Sequence, residues 1–438
     1  MRSNRNSTFP CLTLVLLFVA LSGQAFSSTV AVGGCTNLVH FATIQLAVNS
    51  VPAGSTIQVC PGTYAEQVLI NKNLTLTGIT SGTSAAAVLV PPTGGLVKNG
   101  TDLAAFPVPD VAAQILVQGA AKATISHLIV DGTGNGLDGC GGLNMLGIYY
   151  ENSSGTITDN VVRNQITDTN VGCGLGFAIY VASNAGTPAV TVSNNSVRNY
   201  GKNGIIATGV GNSIPGPKVT LTGNTVVGIG ATTQIAQNGI QLSLLATGKI
   251  TSNYVVDDIY INPPDCALST CWGSSGILLY ASNGVSVTSN TVESTQLGIV
   301  PVTDLNYGTG DGTIIKSNHI GGTQNYDAID LCSNGNTVQS NVIYGSAQDA
   351  VHADDSCGGT GNNNVITSNT INGACAGILT GTGTSGNSFT PNTFMNVTNT
   401  TLAGDVCTPP ATGPMADAMG TSGSHAKSHS LRPSARKN

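Results

Sequence analysis

The sequence has few charged and few aromatic residues. Asp, Glu, Lys and Arg make up 8% of its 438 residues and Phe, Trp and Tyr 5%, whereas about 25% of an average soluble protein is charged. The net charge of -6 disfavours a nucleic-acid-binding protein, because it would repel a phosphate backbone. Leu, Ala, Glu and Lys do not dominate, which excludes a long helical bundle. A hydrophobic fraction of 40% opposes disorder, so a folded, β-rich chain with 56 Gly residues remains.

No hydrophobic run is as long as a membrane span, and the longest run lies close to the N-terminus. Arg2 and Arg5 precede an apolar stretch at residues 12–21, and the small residues Gly23 and Ala25 follow it. This order is typical of a secretory signal peptide rather than a signal anchor, since a membrane span needs about 20 apolar residues. We therefore predict a signal peptide at 1–25, a secreted protein (extracellular, periplasmic or cell-surface) and no transmembrane segment in the mature chain.

The cysteine count agrees with export. Removing Cys11 with the signal peptide leaves ten of the 11 Cys, an even number that suits an oxidising compartment. No pair has the spacing and companion His of a zinc site. We expect structural disulfides rather than free or metal-binding thiols, and the pairs that lie close in sequence are Cys35–Cys60, Cys140–Cys173, Cys266–Cys271, Cys332–Cys357 and Cys375–Cys407.

A short pattern with one Asn recurs through the chain from residue 156 onward. It combines β-branched residues, a polar residue and an Asn, as in TITDNVV at 156–162 and TVSNNSV at 191–197. A stacked Asn can donate its side-chain amide to the Asn of the next repeat, so a ladder is expected. The Asn recurs every 23 to 37 residues, at Asn160, Asn195, Asn224, Asn253, Asn290, Asn318, Asn341, Asn369 and Asn392.

A second repeated element alternates with the first. It places a β-branched residue after Gly or Ala, with another mostly apolar residue two positions later, which is the period of a strand with one buried face. The predicted inward column is Ile148, Ile179, Ile205, Ile240, Ile277, Ile299, Ile329, Val351 and Ile378.

The two elements together predict a solenoid in which the strands of each coil stack on those of the coil before. Every coil needs tight corners with positive φ, which explains the Gly content. A propeller would need longer and more even units, and a sandwich would not keep one Asn in phase nine times. The segment 43–49 predicts a short amphipathic helix that caps the first coil. We assign 26–407 to one solenoid domain and 408–438, rich in Pro, Gly, Ser and His, to a disordered tail.

These repeats resemble those of the right-handed parallel β-helix, or pectin-lyase-like, superfamily, over about residues 40 to 400. The resemblance implies an all-β, right-handed parallel β-helix of about 11 coils with a short N-terminal capping helix. The superfamily includes pectate lyases, polygalacturonases, pectin methylesterases and alginate epimerases, so the fold alone does not assign a function.

The segment 43–70 resembles the N-terminal coil of pectin methylesterases, whose GxYxE element corresponds to Gly62, Tyr64 and Glu66. That element is structural in those enzymes. Their Asp-Phe-Ile-Phe-Gly strand and Arg-Pro-Trp segment have no match in this sequence. A pectinesterase is therefore not expected, and Glu66 receives no catalytic role.

Acidic residues and one His cluster on two adjacent coils. The residue after each inward position is expected to point outward, which places Asp330 and His352 side by side about 5 Å apart. Asp330 and Asp354 would be diagonal neighbours roughly 8 Å apart, within the range of the acid and base of inverting glycosidases. The whole cluster comprises Asp327, Asp330, Asp349, His352, Asp354 and Asp355.

The cluster is similar to the polygalacturonase arrangement, but the Asn-Thr-Asp, Gly-His-Gly and Arg-Ile-Lys motifs of those enzymes are missing. Three interpretations stay open. The first is a catalytic site of Asp330, His352, Asp354 and Asp355. The second is a metal site that involves Asp327 and Asp349, with Ca²⁺ as the only cofactor considered. The third is a set of turn residues on a solvated face.

Tyr149, Tyr180 and Tyr280 are candidate platforms for stacking a sugar, although strand packing explains them equally well. We expect an exported monomer that binds or modifies an extracellular polysaccharide, as a lyase, hydrolase or epimerase would. The alternative is a non-catalytic β-helix with a structural or adhesive role at the cell surface. Neither hypothesis includes a nucleic-acid partner.

Overall fold

The computed structural model describes residues 27–79, 86–104, 110–119, 121–138, 142–167, 175–211, 213–261, 273–322, 326–404 and 407. These residues form a right-handed parallel β-helix, as the sequence predicted. The predicted signal peptide, the predicted tail and the pairs Cys140–Cys173 and Cys266–Cys271 lie outside the described residues. Within the described residues, no helix is long and apolar enough to cross a membrane.

Each coil contributes strands to three faces, which we name A, B and C in the order in which the chain passes through them. Face A is a parallel sheet of 13 strands. It consists of Thr29–Val32, His40–Phe41, Ser55–Val59, Leu74–Gly78, Lys122–Ser126, Ser154–Thr158, Ala189–Ser193, Lys218–Thr222, Thr247–Thr251, Ser286–Thr288, Ile314–Lys316, Thr337–Gln339 and Val365–Thr367.

Faces B and C are joined in one sheet of 23 strands. Face B consists of Gly62–Ala65, Ala87–Val90, Leu128–Asp131, Val161–Gln165, Ser196–Tyr200, Thr225–Thr232, Tyr254–Tyr260, Thr291–Glu293, His319–Gly321 and Val342–Tyr344. Face C consists of Val68–Ile70, Gly100–Thr101, Asp110–Val117, Leu143–Glu151, Gly176–Ala182, Asn203–Thr208, Asn238–Ser243, Ser275–Tyr280, Leu297–Val302, Ile329–Leu331 and Asp349–Ala353. Gly100–Thr101 runs antiparallel to its neighbour, and the long strands Thr370–Thr380 and Thr393–Ala403 pass through both faces.

The hydrophobic core fills the space between the three faces. The predicted inward column of face C is buried in it, from Ile148 to Ile378. Residues such as Ile157 of face A and Val162 of face B complete each layer. Because side chains alternate between the two sides of a strand, the period-two pattern was enough to identify the residues of face C that point into the core.

The Asn ladder is confirmed at the corner between faces A and B. Each Asn, from Asn160 to Asn392, is linked to the next by a side-chain amide that donates to a side-chain oxygen over 2.9 to 3.0 Å. The residue before each Asn except Asn392 has a positive φ, but it is usually not Gly: Asp159 and Ser252 are examples, with φ of 57° and 55°. The ladder holds this corner in the left-handed conformation, which short polar residues tolerate better than most.

The N-terminal end of the β-helix is closed by the predicted helix. Helix α1, Ile44–Ser50, begins after Thr43, whose side chain accepts a hydrogen bond from the backbone N–H of Leu46. The Glu66 carboxylate accepts two more, from the N–H groups of Ile44 and Gln45, at 2.8 Å each. Glu66 therefore has the structural role expected of it, because it satisfies N–H groups that a helix leaves free in its first turn.

Three of the expected disulfides are present, Cys35–Cys60, Cys332–Cys357 and Cys375–Cys407. They lie near the first coil, beside the acidic cluster and at the last coil. Disulfides persist in oxidising compartments, so these three indicate an extracellular or periplasmic location.

Candidate functional site

The outer side of face C is covered in this structure, and this corrects the expectation of sugar-stacking platforms. Tyr149, Tyr180 and Tyr280 point away from the main core as predicted, but they are only 0%, 2% and 2% exposed. Gly100–Thr101 and the residues after it lie over the first two rings: the Tyr149 hydroxyl donates to the Thr101 carbonyl, and Tyr180 donates to the Asp102 carboxylate. A ring packed in this way has no free face for a sugar.

The acidic cluster is brought together on face C, where the strands Ile329–Leu331 and Asp349–Ala353 pair in parallel. Asp330 lies directly opposite His352 in the register, as the sequence predicted. Of the three interpretations, a set of turn residues on a solvated face does not fit, because these side chains are buried. Asp330 is 1% exposed and His352 is 7% exposed, and Asp327, Asp349 and Asp354 are buried as well.

Asp327 links the two coils of the cluster. Its Oδ2 lies 3.2 Å from Nδ1 of His352, and its Oδ1 accepts a hydrogen bond of 3.0 Å from the backbone N–H of Asp349. The sequence interpretation gave Asp327 only a weak role in a metal site. A signal was available, because Asp-Ala-Ile at 327–329 and Asp-Ala-Val at 349–351 repeat in register.

Three polar atoms of the cluster have no hydrogen-bond partner among the described residues. They are Oδ1 of Asp330, Oδ1 of Asp349 and Nε2 of His352. Buried polar groups are almost always paired, because leaving one unpaired costs about 1–3 kcal/mol. Three such atoms lie in one small cluster, which makes it the candidate site for an additional polar or charged group.

The pKa values of the cluster are strongly perturbed. Burial raises the pKa of Asp330 well above its ordinary value, and the neighbouring charges of Asp354 and Asp327 raise it further. Burial, followed by the charge of Asp327, raises the pKa of Asp349 to about 8. Burial alone would lower the pKa of His352, but its hydrogen bond to Asp327 and the surrounding carboxylates outweigh that effect and raise it to about 10. Near neutral pH the cluster therefore holds protons that a cation could displace.

Asp354 and Asp355 are held by turns at the edge of the cluster. Oδ1 of Asp354 accepts hydrogen bonds from the backbone N–H and the hydroxyl of Ser356, at 2.7 and 2.6 Å. Asp355 is directed elsewhere, since its Oδ2 accepts a hydrogen bond from the N–H of Gly383. The structure thus brings together four of the five predicted acids with His352 and leaves Asp355 outside.

The separation of Asp330 and Asp354 is shorter than expected. Their nearest ligand oxygens lie within 4.8 Å of each other, whereas the diagonal register suggested roughly 8 Å. Both side chains converge beneath the Cys332–Cys357 disulfide, whose Cys332 Sγ is 4.0 Å from Oδ2 of Asp354. This spacing is too short for the water that an inverting glycosidase places between its carboxyl groups.

One subset of the cluster has the donor atoms of a metal site. Asp327, Asp330 and His352 each offer a ligand atom, and the three atoms lie within 4.8 Å of one another. A neighbouring group contains Cys332 and Cys357, but both are oxidised in a disulfide and supply no thiolate. Carboxylates combined with an imidazole suit Zn²⁺, Cu²⁺, Mn²⁺ or Fe²⁺ better than Ca²⁺, which takes oxygen ligands.

A second buried polar group, which the sequence interpretation missed, lies where the chain passes from face B to face C. The hydroxyl of Tyr200 donates to Oδ1 of Asp258 over 2.7 Å, and Lys202 Nζ donates to the carbonyl of Ala236. Burial raises the pKa of Asp258 well above its ordinary value and lowers that of Lys202 to about 8. No repeated column contains these residues, which is why the pattern gave no signal for them.

Comparisons with known proteins agree with the fold. A family model described as periplasmic copper-binding protein (NosD) matches residues 264–408, which is less than half of the chain but contains the whole acidic cluster. No curated protein sequence matches the chain significantly.

Two solved structures are similar over most of their length. The lacto-N-biosidase of family GH136 from Eubacterium ramulus is 12% identical, with a TM-score of 0.51 over 84% of this chain and 68% of that one. PfbA, a surface adhesin of Streptococcus pneumoniae, is 15% identical, with a TM-score of 0.53 over 81% and 85%. At such identities the likeness shows the fold alone. The chain therefore has the fold of a right-handed parallel β-helix protein.

Proposed function

We propose that this chain is an exported β-helix protein that binds a divalent transition-metal ion in its buried acid–histidine cluster. The observation that carries this proposal is that Asp327, Asp330 and His352 bring one ligand atom each to within 4.8 Å of one another, while Oδ1 of Asp330 and Nε2 of His352 have no partner among the described residues. A buried group of carboxyls around one His, with no Lys or Arg paired to it among the described residues, is compensated most directly by a cation.

The residues have distinct roles in this proposal. His352 binds the metal through Nε2, because its Nδ1 faces Asp327, and Asp330 binds through Oδ1. A carboxyl group on the far side of a ligating His fixes the orientation of the ring, which is the role of Asp327 toward His352. The bound ion supplies positive charge that neutralises the carboxyl groups. The match to a periplasmic copper-binding family across this region makes Cu²⁺ the first ion to test.

Metal titration of the full chain, freed of metal by a chelator, tests the proposal. We expect one Cu²⁺, Zn²⁺ or Mn²⁺ per chain by calorimetry, and weaker binding of Ca²⁺. His352→Gln and Asp330→Asn should each reduce the affinity by about 100-fold. The paramagnetic resonance spectrum of bound Cu²⁺ should show coupling to one imidazole nitrogen, and His352→Gln should abolish it.

Two matched controls separate this site from other histidines. His319→Gln changes an exposed imidazole outside the cluster, and a double variant, His425→Ala with His429→Ala, removes the two His of the C-terminal segment. Both controls should bind the metal like the wild type. Equal affinity of the wild type and His352→Gln would overturn the proposal.

The second candidate is the binding or modification of an extracellular polysaccharide by a lyase, a hydrolase or an epimerase. The observation that favours it is the close pair Asp330 and Asp354, in which burial and the neighbouring carboxylates raise the pKa of Asp330, as a general acid requires. Wild-type protein and the variant Asp330→Asn, His352→Gln, Asp354→Asn should be compared on a broad panel of glycans. Turnover that only the wild type performs supports an enzyme. Binding without turnover by both supports the non-catalytic adhesive alternative.

The proposal also includes export of the protein with removal of its N-terminal segment. Secretion through the segment 1–25 would give a mature chain that begins at Phe26, and N-terminal sequencing of the secreted protein tests it. A protein that retains residues 1–25 and stays with the membrane fraction would contradict the cleavage.

A further inference from the structure

The two ends of the β-helix differ in how they are closed. At the N-terminal end, helix α1 covers the core and buries Ile44, Ala47 and Val48. The side chain of Gln45 also pairs with the backbone of the edge strand, since its Nε2 donates to the carbonyl of Leu69 and its Oε1 accepts from the N–H of Leu69. The apolar end is therefore covered within the chain, and so is the backbone of Leu69 on the face C edge.

The C-terminal end has neither kind of cover among the described residues. The last strand, Thr393–Ala403, pairs with Thr370–Thr380 on one side, and no strand of the described residues is paired with its other side. Each of its 11 residues is exposed or half-buried, whereas the preceding strand is mostly buried. Phe394 and Val397 pack against the core but remain partly exposed, and Met395 is 44% exposed.

The strand also lacks the features that protect natural sheet edges. Its sequence, TFMNVTNTTLA, contains no charged residue and no Pro. Lys side chains, Pro, bulges or a covering segment normally prevent such an edge from pairing with another chain. Asn396, with a φ of 51°, marks the bend between the face B and face C parts of the strand. We call the straight part after this bend, residues 397–403, the open edge.

We favour a second copy of the chain as the partner of the open edge. The reasons are the absence of charge on this edge and the lack of a suitable strand at either end of the chain. An uncharged edge can face an identical edge without repulsion between like charges. At the N-terminal end the first strand of face C, Val68–Ile70, is covered by Gln45 of α1, so face C offers no free edge there for a head-to-tail continuation. The C-terminal segment is a poor strand partner on its sequence, since Pro409, Pro410 and Pro414 cannot donate ladder hydrogen bonds.

We propose, in place of the monomer expected from the sequence, that two copies of this chain pair their open edges in antiparallel orientation, around a two-fold axis near Thr400. The contact is isologous, because each copy contributes residues 397–403, and it continues face C from one copy into the other. The half-buried Phe394 and Val397 and the exposed Met395 lie beside the join, where a second chain would cover them. The proposal concerns the end of the β-helix and does not depend on the metal site.

Sedimentation of the full chain over a wide concentration range tests this pairing. The wild type should sediment at twice the monomer mass. Thr400→Lys places two like charges near the axis and should weaken the dimer by about tenfold or more, and Thr400→Glu should do the same. An equimolar mixture of the two variants should restore the dimer, which a folding defect could not do. Thr220→Lys, an exposed substitution on face A, should leave the dimer unchanged.

Hydrogen exchange gives a second measurement on the same samples. Amides of the open edge should be protected in the wild type and should exchange faster in Thr400→Lys, while amides of face A stay the same. A wild-type chain that sediments as a monomer at all concentrations would overturn the proposal, as would an unaltered dimer in both charged variants.

Discussion

Nδ1 of His352 lies 3.2 Å from Oδ2 of Asp327, and both side chains are almost fully buried. This contact fixes the imidazole between two coils, and its other nitrogen, Nε2, has no hydrogen-bond partner among the described residues. It also keeps the ring protonated over an unusual pH range, because a buried carboxylate stabilises the imidazolium that burial alone would destabilise.

The stability of the metal-free protein should fall at alkaline pH because of His352. Its pKa is raised from 6.5 to about 10, so the stabilisation is fully present below pH 6.5 and is lost as the pH rises toward 10. The loss should amount to a few kcal/mol, given about 1.4 kcal/mol for each pKa unit. Chemical denaturation across this range measures it. His352→Gln should be less stable at pH 6 and should show a flatter profile, and an equally steep decline in the variant would contradict the assignment.

Lys202 should act in the opposite direction. Burial lowers its pKa to about 8, so the folded protein loses this proton before the unfolded chain does, and stability should rise between about pH 8 and pH 10.5. The side chain keeps some solvent contact, so we expect a gain on the order of 1 kcal/mol. Lys202→Met should remove the rise in chemical denaturation. Lys98→Met, in an exposed ion pair, is the control and should leave the rise in place.

Removing two disulfides of the same sequence separation, one at a time, distinguishes an effect on stability from an effect on metal binding. Cys35–Cys60 and Cys332–Cys357 each span 25 residues, so replacing either pair by Ala should cost about 3 kcal/mol through the entropy of the unfolded chain. Only Cys332–Cys357 packs against Asp354 of the acidic cluster. The Cys332→Ala, Cys357→Ala variant should therefore also bind Cu²⁺ more weakly in calorimetry. Equal metal affinity of the two double variants would show that the disulfide does not support the cluster.

The parts of the fold that repeat could be predicted from the sequence, because the same physical requirement recurs in each coil. The inward column from Ile148 to Ile378 and the ladder from Asn160 to Asn392 are examples. The pairing of Asp330 with His352 followed from the same register. In each case the position of a residue within the repeat determines where its side chain lies in the coil.

The features that the sequence did not predict arise from segments without a repeat. Thr101 and Asp102 cover the rings of Tyr149 and Tyr180, and both belong to an irregular segment between two coils. The same difficulty applies to Asp330, whose outward direction was predicted correctly but whose burial was not. Strand periodicity tells on which side of a sheet a residue lies, but it contains no information on what covers that side.

The Asn ladder should be the most sensitive polar feature of the fold. Asn253 Oδ1 accepts hydrogen bonds from both the side chain and the backbone N–H of Asn224, and its own Nδ2 donates to the carbonyl of Leu221. Asn253→Ala leaves these buried partners unsatisfied, so we expect a loss of about 2–4 kcal/mol in the free energy of unfolding. Asn71→Ala, at an exposed position, should change it by less than about 0.5 kcal/mol. If denaturation gave similar small losses for both variants, the buried amides would not stabilise the stacked coils, and packing of the Ile column alone would have to hold them together.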